Sequence, residues 1–418
     1  MTQADDEIER VCRDSYGRIV ALLASRCGDI ASAEDGLAEA FGKALVQWRN
    51  DGVPKNPEAW LVTVARRLLI DQQRSKQTRK DASDELRRQA LAKQMQVELD
   101  QNSFIDERLK LFFVCAHPAI DSSVRAPLIL QTLLGLNATT IGSAFLVAPK
   151  TMGQRLSRAK RKILEAGIAF RIPETHELNS RLQTVSEAIY AAFGLGWDHT
   201  FADTPQTSLT EEAISLARIL HQLLPSQAEP LGLLSLMLFS HARRRARRSP
   251  CGRYVPLSEH DLRLWDHSAI DEAEHLLIKA SALNQLGPYQ LEAAIQSAYC
   301  ACRHTRETDW SAVALLYDGL AQMVPGVGVR VAQAAALSEA GELGPASQIL
   351  TELAITHSID RYQPYWAVKA SLLTLGGDIA KAQEAYERAI GLTEDHATRQ
   401  FLIEKRRLLP QTESGHLG

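Results

Sequence analysis

The chain has 418 residues, of which 45% are hydrophobic and 23% charged, with a formal net charge of −3. This is ordinary globular composition, and the length predicts two to four domains. No apolar run approaches the ~18 residues of a membrane span, which excludes a membrane protein. The six cysteines are scattered, and the first residues lack the basic-then-apolar order of a secretion signal. Both features favour a reducing cytoplasm.

Charge divides the chain into two parts. Residues 1–172 carry 26 Lys or Arg against 21 Asp or Glu, whereas residues 173–418 carry 21 against 29. A basic first part and an acidic second part indicate different tasks.

Residues 5–75 predict a first helical domain. Ser32 is a suitable N-cap for a helix whose apolar face is Leu37, Phe41, Ala44, Leu45 and Trp48. Gly52 and Pro54 interrupt that helix, and Pro57 suits the first turn of the next one, which extends to about residue 74.

The rest of the chain also lacks strand patterns. Residues 76–105 are polar and charge-mixed, which predicts a partly helical linker. Residues 106–172 predict a second compact helical domain, and residues 178–410 a long helical domain rich in Ala and Leu. The predicted fold class is therefore all-α.

A basic helix follows a short helix and a turn near Leu146–Pro149, at helix–turn–helix spacing. Its buried stripe is predicted to be Met152, Leu156, Ala159 and Ile163. Residues 150–162 contain six cations and no acid, a density that favours a nearby anion. A helix fits the major groove of DNA, where Arg and Lys read guanine and Gln reads adenine. The candidate DNA-binding residues are Lys150, Thr151, Gln154, Arg155, Arg158 and Arg161; a solvated basic face is the alternative.

Two parts of the first 172 residues resemble one family. The sequence Ala33–Phe41, followed by Asn56–Asp71, resembles region 2 of bacterial RNA polymerase sigma factors, most closely those of the extracytoplasmic function (ECF) group. The sequence Asp106–Pro118, with Thr151–Lys162, resembles region 4. The likeness covers roughly residues 5–172. The C-terminal part resembles the subgroup with a tetratricopeptide-like domain, notably at Gly287–Leu291 and Asp309–Trp310.

The resemblance implies roles for individual residues. The helix over residues 33–48 would dock on the β′ coiled coil of core polymerase and expose Asp35 and Glu39 to it. The loop at 49–57 and the following helix would open and bind the −10 element, and region 4 would read the −35 element as duplex. The −10 candidates are Asn56, Trp60, Arg66, Arg67 and Arg74, with Trp60 equally suited to the core and to base stacking.

The C-terminal part contains a loose repeat. Ala346, Leu350 and Leu353 recur as Ala382, Tyr386 and Ala389, an offset of 36 residues, which is near the ~34 of tetratricopeptide helix pairs. Such pairs leave a concave surface, so both a plain scaffold and a peptide- or protein-binding groove stay open. The basic run Arg243–Arg248 could bind nucleic acid or an acidic region of the chain itself. The alternative is a solvated loop.

These observations predict a non-enzymatic sigma factor. It would bind core RNA polymerase through the β′ and β subunits, recognise promoter −10 and −35 DNA and start transcription. The C-terminal domain would regulate it, by binding another protein or the chain's own sigma domains. No catalytic motif, metal site or cofactor is predicted. The alternative is a stand-alone DNA-binding transcriptional regulator with a ligand- or protein-sensing helical domain.

Overall fold

The computed structural model of the protein describes residues 3–77, 101–145, 147–197, 205–357 and 359–410. Over these ranges the regular structure is helical, apart from one isolated bridge between Arg248 and Tyr254, and the predicted all-α class is confirmed. None of the helices in these ranges is long and apolar enough to cross a membrane. The chain divides into two compact units, Met1–Leu223 and Leu224–Gly418.

The first unit contains the helices of the basic part of the chain and two more. They are α1 Gln3–Cys27, α2 Ile30–Asp51, α3 Pro57–Gln77, α4 Gln101–Cys115, α5 Ser122–Leu134, α6 Ala138–Ala144, α7 Pro149–Glu165, α8 Thr175–Trp197 and α9 Pro205–Leu223. Most of the predicted linker, residues 78–100, lies outside the described residues.

Helix α2 begins three residues earlier than predicted. Asp29, not Ser32, is its N-cap, and the Asp29 carboxylate accepts a hydrogen bond from the Ala31 amide at 3.0 Å. The Ser32 hydroxyl lies in the first turn and donates to the same carboxylate at 2.5 Å. Gly28, with φ +72°, lets the chain reverse directly after α1, which brings Asp29 to the cap position.

One face of α2 packs against α1 and α3. Leu37, Ala44 and Trp48 are buried as predicted, but Leu45 is 41% exposed. Ala40 is buried in its place, because residues 37, 40, 44 and 48 follow the helical period, whereas residue 45 is rotated ~100° from residue 44.

The helices of the first unit pack through α1 and α5. Helix α1 contacts α2, α3, α4 and α5, and α5 contacts α4, α6, α7 and α8. At the crossing of α1 and α5, a Cβ on Gly17 would lie 1.8 Å from the Leu133 carbonyl oxygen. Only glycine fits at residue 17 at this distance.

The second unit is a succession of helices, each of which packs against a neighbour in sequence. They are α10 Ala228–Ala242, α11 His267–Ala282, α12 Pro288–Cys300, α13 Cys302–Thr305, α14 Trp310–Met323, α15 Val327–Glu339, α16 Leu343–Thr356, α17 Gln363–Leu375, α18 Ile379–Leu392 and α19 His396–Arg407. Short 3₁₀ turns at Arg244–Ala246, Leu257–Glu259 and Leu262–Leu264 join α10 to α11.

The last four long helices before α19 form two similar pairs. Helix α17 starts 36 residues after α15, and α18 starts 36 residues after α16. The six small or apolar residues of the loose repeat are all buried in these pairs: Ala346, Leu350, Leu353, Ala382, Tyr386 and Ala389.

Two sequence signals of the C-terminal part act as helix caps. The Glu229 carboxylate of α10 accepts hydrogen bonds from the backbone amides of Tyr289 and Gln290, each at 3.1 Å, at the start of α12. A Cβ on Gly287 would lie 2.3 Å from this carboxylate, so a side chain at residue 287 would displace Glu229. Asp309 caps α14 by accepting from the Ala312 amide at 2.9 Å.

Candidate nucleic-acid interface

Helix α7 separates its apolar and basic side chains as the spacing predicts. Its buried stripe is Met152, Leu156, Ala159 and Ile163. The other side is exposed and holds every candidate −35 residue: Lys150, Thr151, Gln154, Arg155, Arg158 and Arg161. No acidic side chain lies on α7 before Glu165, so the exposed face offers donors and positive charge for an anionic partner.

A depression of about 340 Å³ lies between α7 and the start of α5. Arg155, Arg158 and Lys162 line it from α7, and Asp121 and Ser123 from α5. Hydrogen bonds from the Ser123 hydroxyl and amide hold the pKa of the exposed Asp121 below its usual range, with a smaller effect from the positive charge of Arg155. Asp121 is therefore occupied as the N-cap of α5, and three cations remain on the other wall.

Lys160 is the exception among the cations of α7. It is buried, and its ammonium pairs with the carboxylate of Glu34 on α2. Lys160 is one of the six cations of residues 150–162 but is not among the predicted DNA-binding residues. Its position next to Ala159, and four residues after Leu156, places it at the edge of the buried stripe, which is the one sequence signal of its burial.

The −10 candidates around the start of α3 are only partly available. The Asn56 side-chain oxygen accepts from the Ala59 amide at 3.0 Å and so serves as N-cap of α3. Trp60 is half-buried, and its ring meets that of Trp48 edge to face at 5.4 Å between centroids. Both residues therefore have a structural role.

Arg66 is half-buried and Arg67 is exposed on α3. Burial lowers the pKa of Arg26, the negative charge of Glu107 opposes this shift, and the positive charge of Arg66 adds to it. The side chain of Arg74 lies outside the described residues.

The outer face of α2 carries the polymerase candidates. Asp35 and Glu39 are both exposed, and Glu39 forms a loose ion pair with Lys43 at 3.7 Å. Val46 is 65% exposed and lies on the same stripe, eleven residues after Asp35. Val46 is not among the predicted polymerase-binding residues. An apolar residue that breaks the polar side of an amphipathic helix was the available signal.

The basic run Arg243–Arg248 is not a free loop. Arg243 is buried: it donates to the Phe239 carbonyl at 3.3 Å and to the side chain of Gln296 on α12. Its guanidinium lies 5.8 Å from the ring centroid of Trp265 and 5.9 Å from that of Tyr299.

At the end of the run, Arg248 forms an ion pair with Asp395 at 3.2 Å. The solvated-loop interpretation is therefore wrong for Arg243, whereas Arg248 pairs with an acidic residue of the chain itself. Arg245, between them, is exposed.

Comparison with known proteins gives two family matches. Residues 12–79 match Sigma-70 region 2, and residues 181–281 match a family of unknown function, DUF6596. The second match begins within α8 of the first unit and ends within α11 of the second. No solved structure matches the chain.

Two relatives differ in how much of the chain they cover. Uncharacterized protein R00370 of Rhizobium meliloti (strain 1021) is 34% identical over 365 residues, which span 86% of each chain. The probable ECF RNA polymerase sigma factor SigI, from two strains of Mycobacterium tuberculosis, is 28% identical over 183 residues, 42% of this chain and 61% of that protein. The predicted kinship with sigma-70 proteins is confirmed for region 2.

Proposed function

We propose that this chain, which belongs to the same family as uncharacterized protein R00370 of Rhizobium meliloti, is an ECF-type sigma factor that directs core RNA polymerase to −10 and −35 promoter elements. One observation carries the proposal. A sigma-70 region 2 and a helix with an exposed, acid-free basic face occur in the same compact unit. A sigma factor needs both parts, whereas a simple repressor needs only the second.

Core polymerase would bind the outer face of α2. Asp35 and Glu39 supply charge for a basic coiled coil, and Val46 adds apolar contact area on the same stripe. Charge complementarity of this kind favours rapid and selective association, while the apolar contact slows dissociation.

Helix α7 would read the −35 element in the major groove, as the second helix of a helix–turn–helix. Residues at the start of such a helix face base edges, so Lys150, Thr151 and Gln154 would supply sequence recognition. Arg155, Arg158 and Arg161 lie further along and would contact phosphates. The cationic depression at Arg155 and Arg158 supports this division of roles.

The −10 element would be bound by the start of α3. The exposed Arg67 and the half-buried Arg66 offer charge for the phosphates of an opened strand. Asn56 and Trp60 would act mainly by shaping this surface, because each is already engaged within the fold. Arg74 stays a candidate for phosphate contact.

The C-terminal unit would regulate the sigma domains through a partner protein or through the chain itself. Its two helix pairs, related by a 36-residue offset, support a tetratricopeptide-like arrangement, a type of fold that recognises peptide segments.

The test is run-off transcription from candidate promoters, with core polymerase and the full chain. Specific transcripts are expected, and the double variant Asp35→Lys/Glu39→Lys should lose polymerase binding without losing its helical circular-dichroism spectrum. The double variant Arg155→Ala/Arg158→Ala should still bind polymerase but lose promoter-specific transcripts. Arg245→Ala, an exposed arginine of the second unit, is the matched control.

Tight, salt-sensitive binding to duplex promoter by the chain alone, with no binding to core polymerase, would support a stand-alone transcriptional regulator instead. The exposed basic face of α7 is compatible with that second function.

A further inference from the structure

The connection between α10 and α11 is long for a succession of paired helices. Three residues join α15 to α16 and three join α17 to α18, whereas residues 243–266 separate α10 from α11. Within this connection, residues 247–255 form a short β-hairpin, which we call the hairpin. Arg248 and Tyr254 make its bridge, and Gly252, with φ +80°, lies in its turn. The hairpin is thus an addition to the helix pairs and not a part of one.

The hairpin lies on α19, the last helix of the same unit. The Arg248 guanidinium pairs with the Asp395 carboxylate at 3.2 Å, and the Tyr254 ring meets the Phe401 ring edge to face, with centroids 5.2 Å apart. Residues that pair in a bridge project from the same face of a hairpin. One face of the hairpin therefore presents a cation and an aromatic ring, and α19 offers an anion and an aromatic ring in return.

The two groups that α19 contributes are positioned by α19 itself. Asp395 is the N-cap of this helix, and its carboxylate accepts hydrogen bonds from the amide and the hydroxyl of Thr398 at 2.7 and 2.6 Å. The ring of Phe401 packs against the core that α17, α18 and α19 share. Neither position depends on the hairpin, so this face of α19 is a preformed receptor for a cation and an aromatic ring.

The contact between the hairpin and α19 is loosely packed. A cavity of about 250 Å³ lies between them, with Arg253 of the hairpin on one wall and Glu404 of α19 on the other. The side chains of the ion pair between Arg248 and Asp395 are 27% and 45% exposed. Exposed ion pairs contribute little to stability, and a two-stranded hairpin is marginally stable by itself in water. These features favour release of the hairpin while the helix pairs stay folded.

We propose that this face of α19 is a binding site for a partner protein, and that the hairpin occupies the site in the free chain. The partner segment carries an arginine and an aromatic residue on one face, as the hairpin does, and displaces it. Asp395 and Glu404 select a basic segment by charge, and Phe401 selects an aromatic side chain. The regulatory meaning of this site rests on the proposed function, whereas its binding properties are measured without polymerase.

The first experiment measures binding of a fluorescent cyclic peptide to the full chain by anisotropy. The peptide has the sequence of residues 246–256 with Cys251→Ser, and cyclisation holds it as a hairpin. The double variant Arg248→Ser/Tyr254→Ser weakens the chain's own hairpin contact. It should bind the peptide at least about tenfold more tightly than the unchanged chain, because the site is no longer occupied. A peptide that also carries Tyr254→Ser should bind to neither chain.

Two acidic neighbours provide a matched pair of further variants, each added to the double variant. Asp395→Asn removes the charge but retains an N-cap residue, so it should weaken peptide binding at least about fivefold while α19 stays folded. Glu394→Gln removes an exposed charge one position earlier and should leave peptide binding unchanged.

Equal peptide affinity in the double variant and the unchanged chain would overturn the proposal, because the hairpin then does not occupy the site. So would an absence of binding to a double variant whose circular-dichroism spectrum and melting temperature match those of the unchanged chain. Equal effects of Asp395→Asn and Glu394→Gln would also overturn it, since the peptide then binds elsewhere.

The second experiment needs no substitution and measures hydrogen exchange in the full chain by mass spectrometry. The amides of Ser249, Gly252 and Val255 donate to backbone carbonyls of the hairpin at 2.8–2.9 Å. They should exchange at least about 100-fold faster than amides 382–390 of α18, because the hairpin opens while the helix pairs stay folded. A saturating concentration of the cyclic peptide should raise their exchange further, since it competes for α19.

Equal protection of the hairpin and α18 would overturn the proposal, because the hairpin then opens only when the whole unit unfolds. So would hairpin exchange that the peptide does not change. Neither experiment contains polymerase or DNA, so a chain that fails in run-off transcription can still pass both, and the two failures are distinguished.

Discussion

The indole ring of Trp60 meets that of Trp48 edge to face, with centroids 5.4 Å apart and planes inclined at 68°. Trp48 is buried and Trp60 half-buried, so this pair joins the end of α2 to the start of α3. Trp60→Ala should lower the free energy of unfolding by about 2–3 kcal/mol, slightly less than a fully buried aromatic residue, as measured by urea denaturation.

Trp60→Phe separates packing from base stacking. A phenyl ring retains most of the contact with Trp48, so stability should recover to within about 1 kcal/mol and promoter opening, followed by permanganate reactivity of thymines, should persist. A stable Trp60→Phe variant that no longer opens DNA would contradict the structural role and favour stacking on a base.

The exposed cations of α7 predict that DNA binding weakens as the salt concentration rises. Each phosphate contact contributes about 0.9 to the slope of log binding constant against log salt concentration. Arg155→Ala and Arg158→Ala should each reduce the slope for −35 duplex by about one, measured by fluorescence anisotropy. Ser157→Ala, an exposed uncharged change on the same helix, should leave the slope unaltered. If neither arginine variant changes the slope, the DNA does not contact this face of α7.

Helix α8 determines where the chain can be shortened. A fragment ending at residue 176 removes α8 and uncovers the part of α5 that it buries, whereas a fragment ending at residue 223 retains the whole first unit. The shorter fragment should melt at least about 10 °C lower and bind a hydrophobic dye. Equal melting temperatures would show that α8 contributes little to this unit.

Glu292 predicts a pH dependence in the second unit. Burial raises its pKa from 4.5 to about 7, and the nearby Glu229 carboxylate adds to the shift. Between these values the folded chain retains a proton that the unfolded chain has lost, so stability falls as pH rises from about 4.5 to 7, by up to about 3 kcal/mol. Urea denaturation at several pH values measures the slope. Glu292→Gln should flatten it, and Glu394→Gln, an exposed control, should not.

Arg243 should matter for stability and not for nucleic-acid binding. Arg243→Met loses hydrogen bonds to the Phe239 carbonyl and to Gln296, together with contacts to two aromatic rings. We expect a loss of about 2–4 kcal/mol in unfolding free energy. Arg245→Met, in the same turn but exposed, should cost less than about 0.5 kcal/mol. Weaker promoter binding by a stable Arg243→Met variant would contradict this assignment.

The spacing of apolar residues within each helix is enough to predict most of the helices. The stripe of Met152, Leu156, Ala159 and Ile163 was predicted in full, because a helix with one buried face repeats its apolar residues every three or four positions. Leu45 was predicted to be buried but is exposed, because Ala40 and Ala44 occupy the buried face of α2. Both Asp29 and Ser32 are suitable N-cap residues for α2. The turn at Gly28 places Asp29 at the N-cap, and this turn depends on how α1 packs against α2.

Residues with distant partners could not be predicted. Lys160 looks like its five basic neighbours until Glu34, 126 positions away in sequence, is placed beside it. Arg243 is the first residue of a basic run of six positions. Its partner Gln296 is 53 positions away in sequence and is brought to the guanidinium only by the fold. The spacing of residues along the chain predicts which face of a helix is buried. The partner of a buried charge depends on the tertiary structure.

The contact at Gly17 has a genetic consequence. Every missense change of a glycine codon adds at least a Cβ, and at residue 17 that atom would overlap the Leu133 carbonyl. Missense alleles at codon 17 should therefore lower the amount of folded protein, and a screen of random alleles for this loss should recover codon 17 repeatedly.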